Sequence, residues 1–97
     1  MADADLAAAF EVLGRRWNGL ILHTLATRPA RFGELRTAIC SISTKMLADR
    51  LRELLDAGLV THDRLPPGPA SYTLTPDSRA LLPALEQLRS WSRQRTP

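Results

Sequence analysis

Sulfur chemistry is nearly missing from this chain, whose 97 residues include a single cysteine, Cys40. One thiol excludes an intramolecular disulfide and any zinc site built from several thiolates. His23 and His62 stand at no metal-ligand spacing from it, so neither a metal nor a cofactor is expected. Aromatic residues are scarce as well, at 5%. A sequence-tolerant binder of single strands needs exposed rings among basic residues, and that class is set aside. The longest apolar stretch, around Leu20, Ile21 and Leu22, is broken at once by His23 and Thr24, so no membrane partner is expected. The first residues lack the basic region and apolar run of a secretory signal, and a cytoplasmic location is the expectation. No Ser/His/Asp or Cys/His set, phosphate-cradling glycine loop or well-placed carboxylate pair occurs, which argues against an enzyme.

What is present has ordinary globular composition, 44% hydrophobic and 24% charged, and 97 residues suffice for one domain, 1–97, with a core of modest size. Of the 13 basic residues all but Lys45 are arginine, and the net charge is +3. Guanidinium groups suit bidentate contacts to phosphate and guanine. The positive excess lies in the middle and at the tail: residues 28–64 carry seven basic groups against five acidic, whereas residues 1–27 carry two against three.

Apolar spacing divides the chain. Leu6, Phe10 and Leu13 mark a first helix that Gly14 stops, and Trp17, Leu20, Ile21 and Leu25 mark a second that Pro29 ends. Phe32, Leu35 and Ile39 lie on one stripe of a short third helix. Residues 40–43 read as a tight turn, after which Ser43 can cap a fourth helix over 43–57. There Leu47, Leu51, Leu54 and Leu55 are expected inward, with Lys45, Asp49, Arg52, Glu53 and Asp56 outward. Gly58 supplies the stop. Beyond it the period changes: residues 59–64 and 71–74 read as two strands of a hairpin whose proline-rich tip contains Pro66, Pro67, Gly68 and Pro69. Thr75 and Pro76 open a last helix over about 75–92, with Leu81, Leu85 and Leu88 on one face, Leu82 beside them and Trp91 near its end.

Three helices followed by a hairpin is the order of a winged helix-turn-helix, mainly α with a small β-hairpin: helix-turn-helix over about 32–57, wing over about 59–74. The first and last helices are extra to that unit, and a core of this size does not cover all their apolar residues. Dimer formation is the natural use for Leu6, Phe10, Leu81, Leu85, Leu88 and Trp91. The functional expectation is a homodimer that reads double-stranded DNA with helix 43–57 in the major groove; the alternative is a winged helix used only as a protein-interaction module.

The residues also carry a resemblance. Gly14-Arg15-Arg16-Trp17 with Ile21, Leu22 and Leu25, then Arg31-Phe32-Gly33-Glu34-Leu35, Ile42-Ser43-Thr44-Lys45-Met46-Leu47, Arg50-Leu51-Arg52-Glu53-Leu54, Gly58-Leu59-Val60 and Tyr72-Thr73-Leu74-Thr75-Pro76 together resemble the HxlR-type winged helix-turn-helix regulators of bacteria and archaea. The resemblance implies a DNA-binding homodimer joined largely through its first and last helices. Redox- and electrophile-sensing members look to a cysteine shortly before the Gly-x-x-Trp motif, and Ala4 stands at about that position here. The wing is about two residues shorter than the commoner form.

Candidate DNA contacts follow from placement. Ser43, Thr44 and Lys45 open the reading helix, where free amides and the helix dipole favour phosphate and short side chains reach base edges. Asp49 lies one turn on, either accepting from cytosine or pairing with a nearby arginine; Arg50 either meets DNA or ties helices together. Arg31 and Arg36 are placed to hold backbone phosphate, and Arg64 leads into the wing toward a minor groove. Trp17, Phe32 and Tyr72 are expected in the core. Cys40, in the turn before the reading helix, is expected buried and inert; the rival reading is a redox switch, since oxidation there would disturb the helix-turn-helix angle. A small-molecule effector pocket between the dimerising helices and the DNA-binding unit stays open.

Overall fold

A computed structural model describes residues 1–63 and 70–95, in the order α1 (Ala4–Leu13), α2 (Asn18–Leu25), α3 (Phe32–Ala38), α4 (Thr44–Asp56), β1 (Val60–Asp63), β2 (Ser71–Leu74), α5 (Pro76–Arg79) and α6 (Leu82–Arg95). Local chemistry sets most boundaries. Asp3 caps α1 by accepting from the Leu6 amide at 2.8 Å, and Ser43 caps α4 by accepting from the Met46 amide at 3.0 Å. At the far end of α4, Gly58 takes φ +74°, and the Gly58 and Leu59 amides donate to the Leu55 and Leu54 carbonyls. This left-handed position is why a glycine stands there.

The core is built on α2 and α4. Ile21, Leu22 and Leu25 meet Leu35, Leu47, Leu51 and Leu54, all essentially without solvent exposure, and Ile39, Ile42, Val60 and Leu74 close the cluster. Burying one such leucine stabilises by about 1.5–3 kcal/mol, so α4 is fixed in place by its inward stripe. Leu55, expected inward, is half-buried, because it lies to one side of the stripe through 47, 51 and 54. Leu20 is exposed, and Asn18 takes its expected place in the α2 interior, donating from Nδ2 to the Val12 carbonyl at 2.9 Å. Trp17 and Phe32 pack partly buried against the cluster, as does the buried Tyr72.

β1 and β2 pair antiparallel, with Val60 opposite Leu74 and His62 opposite Tyr72. Those two rings stack at 4.0 Å and 4°, and burial pushes the Tyr72 hydroxyl above its ordinary pKa. A third piece of sheet went unread in the sequence: Ala30 exchanges both backbone hydrogen bonds with Tyr72, at 3.1 and 2.7 Å, and so anchors the entrance to α3 on the hairpin. The expected wing tip, with Arg64 and the prolines Pro66 and Pro67, lies outside the described residues.

The last helix is not continuous, which corrects the expectation of one helix over 75–92. Thr75 caps α5, accepting from the Ser78 amide at 3.2 Å and donating to the Gly58 carbonyl at 2.8 Å, and a break at Ala80 and Leu81 precedes α6. Pro83 is the cause: it has no amide to give, and its ring would clash with the Arg79 carbonyl in an unbroken helix, so it is accommodated in the first turn of a new one. No helix among the described residues is long and apolar enough to cross a membrane.

Candidate nucleic-acid interface

The site is built from the outward side of α4. With Leu47, Leu51 and Leu54 buried, a period of 3.6 residues turns Lys45, Ala48, Asp49, Arg52 and Asp56 away from the core. Ser43, Thr44, Lys45 and Met46 are exposed, so the opening turn of the helix is clear of the rest of the chain. Its Thr44 and Lys45 amides stand in the first turn, at the positive end of the helix dipole.

The charged residues on and beside this face separate into three kinds. Lys45 is closed on Asp49, Nζ to Oδ2 at 2.9 Å, and its hydrogen bond holds the Asp49 carboxyl below the usual range. Of the two roles expected for Asp49, pairing is the one observed, but the partner is Lys45 and not the arginine expected. Arg50 points the other way: its side chain is 14% exposed, it bonds Glu53 at 2.9 Å, and Glu53 also meets Arg15 at 3.5 Å. Glu53, held by Arg50 within α4 and meeting Arg15, therefore links α4 to the turn between α1 and α2. Arg52 differs from both, acting on Asp49 only through its charge. It is exposed and makes no ion pair among the described residues. Sequence reasoning placed it outward yet left it out of the site; the 45, 49, 52 spacing was the signal.

α3 adds a second rank of cations. Glu34 accepts from the Arg31 amide at 2.8 Å and lies 3.5 Å from the Arg31 Nε. That backbone hydrogen bond, helped by the charges of Arg31 and Arg28, holds the Glu34 carboxyl below its ordinary pKa. Arg28, Arg31, Glu34 and Thr37 line one open depression, and Arg36, Thr37 and Cys40 a second. Arg28 was not singled out beforehand, because a lone arginine in a turn carries no spacing signal. Cys40 is exposed, a correction to the expected buried thiol: Ile39 and Ile42 take the inward positions of the turn, which sends Cys40 and Ser41 outward.

The apolar residues expected at a dimer interface divide as well. Leu6, Phe10, Leu88 and Trp91 are exposed, at 48–58% of their surfaces. Leu85 is instead part of the chain's own core, where α6 lies against Gly19 of α2, and Leu81 is half-buried against that core. Both are largely spent within the protomer, because α6 must bury one face to be held at all. Between α2 and α6 runs an open groove of about 630 Å³ lined by Leu13, Gly19, Leu20, Leu85 and Leu88, together with Arg16, His23, Arg89 and Arg93.

The comparisons agree with this geometry. A family model for the HxlR-like helix-turn-helix matches residues 12–97. The HTH-type transcriptional regulator YodB of Bacillus subtilis (strain 168) is 43% identical over 91 residues, covering 92% of this chain and 81% of its own. The solved structure of YodB in its reduced form superimposes with a TM-score of 0.84 at 41% identity, over 98% of this chain and 95% of that one. A chain described as a MarR-family transcriptional regulator from Porphyromonas gingivalis W83 gives a TM-score of 0.90 at 29% identity, over 99% and 98% of the two chains. A winged helix with the opening turn of its fourth helix exposed, matched to this family over most of its length, belongs to the HxlR-like helix-turn-helix family and is a DNA-binding transcription regulator, not an enzyme.

Proposed function

We propose that two copies of the chain associate through α1 and α6 and that each inserts the opening turns of α4 into the major groove of a near-palindromic duplex site, acting in the cytoplasm. The observation that carries this reading is the two-sidedness of α4: Leu47, Leu51 and Leu54 are sealed in the core while Ser43, Thr44 and Lys45 face outward. A helix so mounted enters a groove about 12 Å wide without disturbing its own packing. Arg31 and Arg36 stand beside it to hold backbone phosphate, Ser43 and Thr44 reach base edges, and Arg64 extends the contact to the flanking minor groove. The exposed Leu6, Phe10, Leu88 and Trp91 supply the association surface.

One structure of the relative YodB from B. subtilis is quinone-bound. For this chain, the groove between α2 and α6 has the size of a small-molecule site and adjoins both the proposed dimerising helix and the helix-turn-helix unit, which supports an effector site there. The central test is a gel shift on the DNA around the protein's own gene. Binding is expected to weaken steeply with salt and to vanish for Lys45→Glu. A shift that ignores both salt and Lys45→Glu would favour the protein-interaction module instead.

A further inference from the structure

On the proposal that α4 enters the major groove, we infer that Arg52 is the side chain that reads sequence there, by donating to the O6 and N7 of a guanine. Two observations single it out. Lys45, the other cation on the outward face, is already closed on Asp49 at 2.9 Å. Arg52 is exposed on the same face and makes no ion pair among the described residues, its charge acting on Asp49 only at longer range, so its guanidinium reaches a base without first breaking a close ion pair. Arginine presents two parallel N–H groups at the spacing of the guanine acceptors, which a lysine held by a carboxylate does not. Ala48, exposed one turn before Arg52, carries no long side chain that would fill the intervening space. From position 45 to position 52 the helix advances about 10 Å, roughly three base-pair steps of ~3.4 Å, so the two cations serve different base pairs.

The test is selection of bound duplexes from a random pool with the full chain, followed by titration of the selected and of an unrelated duplex. The wild type is expected to select a guanine once in each half-site. Arg52→Ala is expected to lose about 10- to 100-fold in affinity for the selected duplex and less than about threefold for the unrelated one, with no preference left at that base pair. Arg52→Gln is expected to move the preference from guanine to adenine, whose N6 and N7 match the glutamine amide. If Arg52→Ala selects the wild-type motif, or loses affinity equally on both duplexes as a phosphate contact would, the assignment of Arg52 is overturned while the groove-reading proposal stands. If the wild type selects no sequence at all, the groove reading itself fails, and the assignment with it.

Discussion

α4 and α1 are both amphipathic helices with a side-chain cap, yet their apolar residues meet different fates. In α4, Leu47, Leu51 and Leu54 vanish into the core; in α1 no residue is buried, and Leu6 and Phe10 stay more than half exposed. α4 is held by the fold and can offer its other side to a ligand. α1 is held at its far end, where Val12 and Leu13 pack partly buried against the core, while Leu6 and Phe10 are left for a surface that the described residues do not supply. The contrast teaches that apolar spacing forecasts a helix in both cases and says nothing of which partner will cover it.

Substitutions can break this contrast in order of expected size. Leu51→Ala should destabilise the fold by about 2–5 kcal/mol in urea denaturation, since it opens a cavity beneath α4. A loss below about 1 kcal/mol would mean that α4 is not anchored as described. The pair Leu6→Ala and Phe10→Ala should instead raise the dissociation constant of the proposed dimer by tenfold or more in sedimentation equilibrium, while the monomer keeps its helical spectrum. Unchanged self-association would remove α1 from the interface. Ser43→Ala should cost about 1 kcal/mol of global stability through the lost cap, and Asp3→Ala less, because fraying α1 exposes nothing buried. Equal losses would erase the distinction between the helices.

The smallest expected effect is one of pH, and it falls on the side proposed to face DNA. Glu34 and Asp49 have folded-state pKa values below their ordinary 4.5 and 3.8, so ionisation favours the fold. That contribution is present above the ordinary values and is lost as pH falls through the lowered ones. Both groups are solvent-exposed, so the change is slight. Glu34→Gln should flatten the decline of stability below pH 4.5 in acid titrations monitored by circular dichroism; an unaltered decline would show that the Arg31 contact adds nothing.

Much of the fold was legible because it rests on local rules. The glycine at position 58, the caps at Ser43 and Thr75 and the stripe 47, 51, 54 each act within a turn or two of their own position. The strand-like bridge at Ala30 was not legible, since its partner Tyr72 is more than 40 residues away and nothing near Ala30 marks an extended pairing. The break before α6 was written in Pro83 but outweighed by the leucine spacing on either side of it. In the site, exposed cations look alike in sequence. Ion pairing then sorts them, binding Lys45 to Asp49 and Arg50 to Glu53 and leaving Arg52 apart.

By itself the amino-acid order determined where helices begin and end and which side of each is apolar, because capping, glycine conformation and side-chain periodicity are short-range effects. Only the packed structure decided that Cys40 faces solvent, that Leu85 serves the core and that Arg50 is turned inward onto Glu53. Those outcomes depend on which surfaces meet across the chain, a question of shape and distance that no short stretch of residues contains.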